Sequence, residues 1–129
     1  MKAYTDIEQS KKLAKILPLK SADMGWYYSR NPQAARNQMW VGTKTENADI
    51  PCWSLAALLQ VLPLGIYDKL DDRDYELKID MADKMPRYVR LGDLYHSQFP
   101  YDFEKDTLLD NVVESIIWLN DNNYFKVLN

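Results

Sequence analysis

The stretch from Pro51 to Pro63, PCWSLAALLQVLP, constrains the chain more than any other. Between its two prolines only Ser54 and Gln60 are polar. A helix that is apolar nearly all round must be covered on nearly all sides. The stretch falls short of the roughly 20 apolar residues that span a bilayer. It is therefore expected to be the buried central helix of a small water-soluble domain. Asn47, Asp49 or a neighbour would cap it, and Pro51 would sit in its first turn, where a missing N–H costs nothing.

The rest of the sequence narrows the class of protein more than its activity. The chain of 129 residues has the size of one globular domain, residues 1–129. A hydrophobic content of 47% is enough for a packed core. One cysteine excludes an intrachain disulfide and a multi-cysteine zinc site, and one histidine excludes two-histidine metal motifs. The net charge of −3 argues against a general nucleic-acid coat, which needs a basic surplus. The start, MKAYTDIEQSKKLAK, lacks the apolar core of a signal peptide, so a cytoplasmic protein without a membrane segment is expected. Charge is unevenly placed: eight basic and four acidic residues up to Asn47, then eight basic and 15 acidic. Such asymmetry suits solvated faces of opposite sign, or an oriented contact with a partner or a second copy.

Taken in order, Thr5-Asp6-Ile7-Glu8 reads as a capping box opening a helix that runs to about Leu17, before Pro18. Lys11, Lys12 and Lys15 lie on its polar side. Asp23 to Ser29 and Gln38 to Thr43 read as a hairpin. Its alternation sends Met24, Trp26 and Tyr28 to a buried face and Tyr27 and Trp40 outward. Tyr75 to Met81 alternates most clearly and returns, after a turn at Ala82-Asp83-Lys84, through Arg87 to Leu91. Gly92 to Phe103 is irregular and aromatic. A last helix begins near Asp106 or Thr107 and ends near Asn120, with Asp110 and Glu114 outward; Tyr124 to Leu128 follows as an edge strand or packed tail. The expected fold is α+β, in the order α-β-β-α-β-β-α. Two hairpins form one small, mainly antiparallel sheet packed by three helices.

EQSKKLAKILPLKSADM, from Glu8 to Met24, together with IPCWSLAALLQVLP, from Ile50 to Pro63, and the closing amphipathic helix, resembles a group of small uncharacterised proteins of gut bacteria. Members are often carried on phage-like or mobile elements. The hairpin loops fall outside the resemblance. The group has no assigned activity, so the resemblance implies a mobile-element context and no catalytic residue to carry over. Alanine often stands in the group where this chain has Cys52, which implies that the thiol is dispensable.

Read for chemistry, Cys52 at a helix start suggests a papain-like thiol hydrolase, since the helix dipole favours thiolate. His96 is then the only base available, oriented by Asp93 or Asp102. Against this, free cysteine is usually a small buried hydrophobe, and apolar surroundings raise its pKa. The acidic run Asp68, Asp71, Asp72, Asp74 and Glu76 lacks the spacing of a calcium loop. No cofactor or metal site is implied. The hairpin aromatics Trp26, Tyr27, Tyr28 and Trp40, with Arg30 and Arg36 beside them, offer a binding surface for a protein partner or a second copy. With the N-terminal lysines they also form a weak single-stranded nucleic-acid platform. The leading expectation is a non-enzymatic interaction protein using Tyr27, Trp40, Arg30 and Arg36.

Overall fold

The computed structural model describes residues 2–30, 38–44, 46–69, 73–90, 98–99, 103 and 105–125. Helix α1 (Ile7–Ala14) opens on a capping box one residue later than expected. Asp6 Oδ1 accepts the Gln9 N–H at 2.8 Å and Gln9 Oε1 accepts the Asp6 N–H at 3.1 Å. Thr5 is unavailable as a cap because its buried hydroxyl bonds Ser10, Cys52 and the Trp53 N–H. The helix stops at Ala14 rather than Leu17, and a looser turn carries Leu17 into the core.

Strands β1 (Met24–Tyr28), β2 (Met39–Thr43) and β3 (Ile50–Cys52) form one antiparallel sheet in the order β2-β1-β3. Helix α2 (Leu55–Val61) follows. Strands β4 (Gly65–Asp68), β5 (Arg73–Asp80), β6 (Met85–Arg90) and β7 (Gln98–Phe99) form a second antiparallel sheet in that order, and helix α3 (Leu108–Asp121) closes the chain. The fold is thus α+β, with both expected hairpins present. They lie in separate sheets, each widened by strands that periodicity did not reveal.

The Pro51–Pro63 stretch is the main correction. It is two elements rather than one buried helix. Its first residues form β3, where Ile50 and Cys52 are buried on alternate positions. Ser54 then caps a short α2 by accepting the Ala57 N–H at 3.1 Å. Asp23 fixes that cap by accepting both the Ser54 N–H and its hydroxyl. Within α2 only Leu58 is fully buried, while Ala56 and Gln60 are exposed. An apolar run that serves a strand and then a helix mimics a helix buried all round, because both periods draw on the same residue types.

The centre of the core is α3. Its Leu109, Val112, Val113, Ile116 and Leu119 join Leu13 and Leu17 near α1, Trp53, Leu58 and Leu62 around α2, and Ile66, Tyr75 and Tyr88 from the second sheet. Thr107 caps α3, as expected, by accepting the Asp110 N–H at 3.1 Å. Asp110 is not a solvated outward residue. It accepts hydrogen bonds from Lys2 Nζ, Gln9 Nε2 and Thr107 Oγ1 at 2.7–2.8 Å, and so ties the N-terminus to α3. Asn111, 1% exposed, donates to the carbonyl of Lys84, whose φ of 57° makes the β5–β6 turn. Met81 belongs to that turn and is 68% exposed, instead of extending the β5 alternation inward. After α3, Tyr124 stacks on Trp118 and Phe125 is buried.

Strands β2 and β3 flank β1 on opposite sides, so the connection between them must cross β1. Ala48 makes the crossing against Gly25: a Cβ at position 25 would lie 2.7 Å from the Ala48 Cβ. Gly25 is required there by the close approach of the Ala48 methyl group, not by its torsions. No helix among the described residues is long and apolar enough to cross a membrane.

Candidate functional site

The thiol proposed from sequence does not stand at a helix start. Cys52 ends β3, and the N-cap of α2 is Ser54, so the dipole that would favour thiolate is not aimed at the sulfur. Cys52 has no exposed surface. Its Sγ lies 3.5 Å from Thr5 Oγ1 and donates to the Thr5 carbonyl at 3.4 Å. The Thr5 and Ser10 hydroxyls are 2.7 Å apart, and the Trp53 N–H completes the knot by donating to Thr5 Oγ1. Burial pushes the Cys52 thiol pKa up, and the hydrogen bonds from Thr5 and Ser10 offset only part of that rise. The knot joins the N-terminal segment to Cys52 and Trp53, with Ser10 of α1 bracing the Thr5 hydroxyl. His96, Asp93 and Asp102 lie outside the described residues.

Surface clefts open at two places among the described residues. One, of about 540 Å³, runs beside β4 between Leu64, Tyr67, Asp74 and Glu76. The other, of about 410 Å³, lies between Leu19, Lys44, Ala48 and Pro51, beside the β2–β3 crossing. Cys52 lines neither. Among the described residues no group of three or more histidine, cysteine or acidic side chains is placed to hold a metal ion. Asp71 and Asp72 of the acidic run lie outside the described residues.

The hairpin face is better defined. Tyr27 and Trp40 are direct cross-strand partners, and Gly25 and Gly42 are partners at the next same-face position. With no side chains at 25 and 42, the two rings lie down along the strands. A Cβ at Gly25 would be 3.3 Å from the Tyr27 ring, and one at Gly42 would be 2.9 Å from Trp40 Cζ3. The Tyr27 hydroxyl donates to the Thr43 carbonyl at 2.6 Å, which pins the ring. Trp40 stacks on it with centroids 4.5 Å apart and planes 19° from parallel. Packing of aromatic side chains over cross-strand glycines is a known device for stabilising a sheet face.

This arrangement corrects the expected exposure of the face. Tyr27 does lie on the outer side, but it is only 7% exposed, with the Trp40 ring stacked on it and the β2–β3 crossing at Ala48 on the same face. Trp40 is 54% exposed and carries the outward apolar surface. On the opposite face, Trp26 is half-buried, donates its indole N–H to the Thr5 carbonyl at 3.1 Å and meets the Tyr4 ring edge-on. Arg30 is 77% exposed and reaches Asp49 at 3.6 Å, a separation worth little at the surface. Arg36 lies outside the described residues. The two glycines were the missed residues. Their signal was legible, since Gly25 and Gly42 stand two positions beyond Tyr27 and Trp40, on the same face of a hairpin.

No protein-family model matches the chain, and no curated protein or solved structure is similar enough to match it.

Proposed function

We propose that this chain is a non-enzymatic interaction protein that binds a protein surface through the outer face of the β1–β2 hairpin, with Trp40 as the anchor. The observation that supports this reading is that Trp40 is exposed and yet packed on one side. Its indole is held against Tyr27, which is itself pinned to Thr43 and laid over Gly25 and Gly42. A side chain whose rotamer is already set loses little entropy on binding, and tryptophan is enriched among residues that dominate interfaces. A large exposed ring held this way gains most when a partner covers it. The thiol contributes nothing to this reading, because a nucleophile must be reachable and Cys52 is not. The resemblance to small uncharacterised proteins often carried on mobile elements names no activity and leaves this reading to rest on the hairpin.

Photocrosslinking in the cells that express the chain tests the proposal. A photoreactive amino acid replaces Trp40 in one variant and Lys12, on the exposed face of α1, in another. Discrete adducts are expected from position 40 and not from position 12. A variant that folds but yields no discrete adduct at position 40, or the same adducts at both positions, would overturn the assignment.

A further inference from the structure

We infer that the Trp40 surface continues into an open strand edge, and that a second copy of this chain pairs with it, β2 against β2, about a two-fold axis at Val41. This rests on the reading of the hairpin as an interaction surface and names its partner.

The phase of the β1–β2 ladder shows which backbone groups are free to pair. Ser29 N–H donates to the Gln38 carbonyl at 3.0 Å, and Lys44 N–H donates to the Asp23 carbonyl at 3.3 Å. Bonded and non-bonded pairs alternate in an antiparallel ladder. With Tyr27 opposite Trp40 and Gly25 opposite Gly42, those are the bonded pairs. Met39, Val41 and Thr43 therefore turn their N–H and C=O groups away from the β1 backbone, the Thr43 carbonyl keeping one lone pair beside the Tyr27 hydroxyl it accepts, and no strand among the described residues lies beyond β2.

Proteins blunt such edges with charge, proline or extreme shortness. The other three edges follow that rule. Strand β3 has three residues with Pro51 at its middle, and β7 has two residues. Strand β4 ends at Asp68 and lies beside Asp74 and Glu76, so two copies meeting there would bring acid against acid. Strand β2, MWVGT, has neither charge nor proline. Lys44, just past its end, is tethered by its ammonium to the Leu19 carbonyl at 2.6 Å.

The sequence of β2 is also complementary to itself. With Val41 on the axis, Met39 faces Thr43 of the second copy and Trp40 faces Gly42, which adds no side chain of its own and leaves the space above it to the two indoles. The three outward residues are the ones that such a pairing bonds. Each indole already leans along its strand toward Gly42, and hence toward the axis. The two tryptophans then cover each other on one face of a continuous six-stranded sheet, β3-β1-β2-β2-β1-β3. This is an isologous contact that closes on itself.

Sedimentation equilibrium of the whole chain between about 5 and 500 μM, a range suited to a small interface, should show a monomer–dimer equilibrium. Thr43→Pro removes one outward N–H from each copy and leaves the β1 ladder intact, so it should weaken dimerisation at least about tenfold without changing the circular dichroism. A second measurement needs no variant. Amide-exchange protection of residues 39–43 should rise with protein concentration, while that of residues 65–68 should not. A wild type that stays monomeric throughout the range would overturn the inference, as would a dimer whose concentration-dependent protection lies elsewhere. Neither result bears on crosslinking from position 40 to a different protein, which decides the broader proposal separately.

Discussion

Cys52 should resist alkylation in the native protein, and the extent can be worked from its surroundings. Its sulfur has no exposed surface and is enclosed by Thr5, Ser10 and Trp53, so a reagent reaches it only when the N-terminal segment leaves β3 or the chain unfolds. If that opening costs about 5 kcal/mol, the low end for a domain, the open fraction is about 2 × 10⁻⁴ and labelling is slowed roughly 5,000-fold. Timed mass spectrometry with iodoacetamide, in buffer and in about 6 M guanidinium chloride, where most domains are unfolded, measures the ratio directly. A native rate within about tenfold of the denatured rate would refute the reasoning, and the knot with it. The same burial sets a pH dependence. Because the folded pKa is raised, the unfolded thiol ionises first, so the stabilisation is fully present below the ordinary value of about 8.5 and is lost as pH rises from there through the folded value. Cys52→Ala should remove this alkaline decline.

Two further changes probe the parts that hold the hairpin and the N-terminus. Gly25→Ala places a methyl group 2.7 Å from the Ala48 Cβ, and both atoms are anchored to backbone, so the crossing must shift at a cost of about 1–3 kcal/mol. In urea melts Ala48→Gly should recover most of that loss, and no recovery would mean that the clash lies elsewhere. Asp110→Asn should cost about 1 kcal/mol near neutral pH, since the carboxylate is partly exposed. Partial burial acts to raise the Asp110 pKa, but the hydrogen bonds from Lys2, Gln9 and Thr107 outweigh it and hold the value below the usual carboxylate range. The stabilisation is therefore present above about pH 3.9 and is lost as pH falls through the folded value. Melts should show the gap between wild type and mutant closing in acid, and a gap that widens instead would reverse the assignment.

The sequence by itself determined the local structure wherever one signal acted alone. Helix α3 was legible because a Thr107 cap precedes an apolar face long enough to have no strand interpretation. The β5–β6 hairpin was legible because strict alternation in Tyr75, Leu77 and Ile79 has no helical equivalent. Which residues of β1–β2 share a face was legible for the same reason, but not their burial: Tyr28, expected to be buried beside Trp26, is 43% exposed. Tertiary structure decided what periodicity cannot hold. The Pro51–Pro63 run became a strand and then a helix because Met24 and Trp26 on β1 pair with Cys52 and Ile50, and because Asp23 fixes the Ser54 cap. Those contacts lie far apart in the chain and leave no local trace. The exposure of the candidate site was decided in the same way. Tyr27 and Trp40 share a face by alternation, but only the closing of the hairpin over Gly25 and Gly42 buries one ring beneath the other. Burial depends on what covers a residue, and here the Trp40 ring of the opposite strand and the crossing at Ala48 lie on the face of Tyr27.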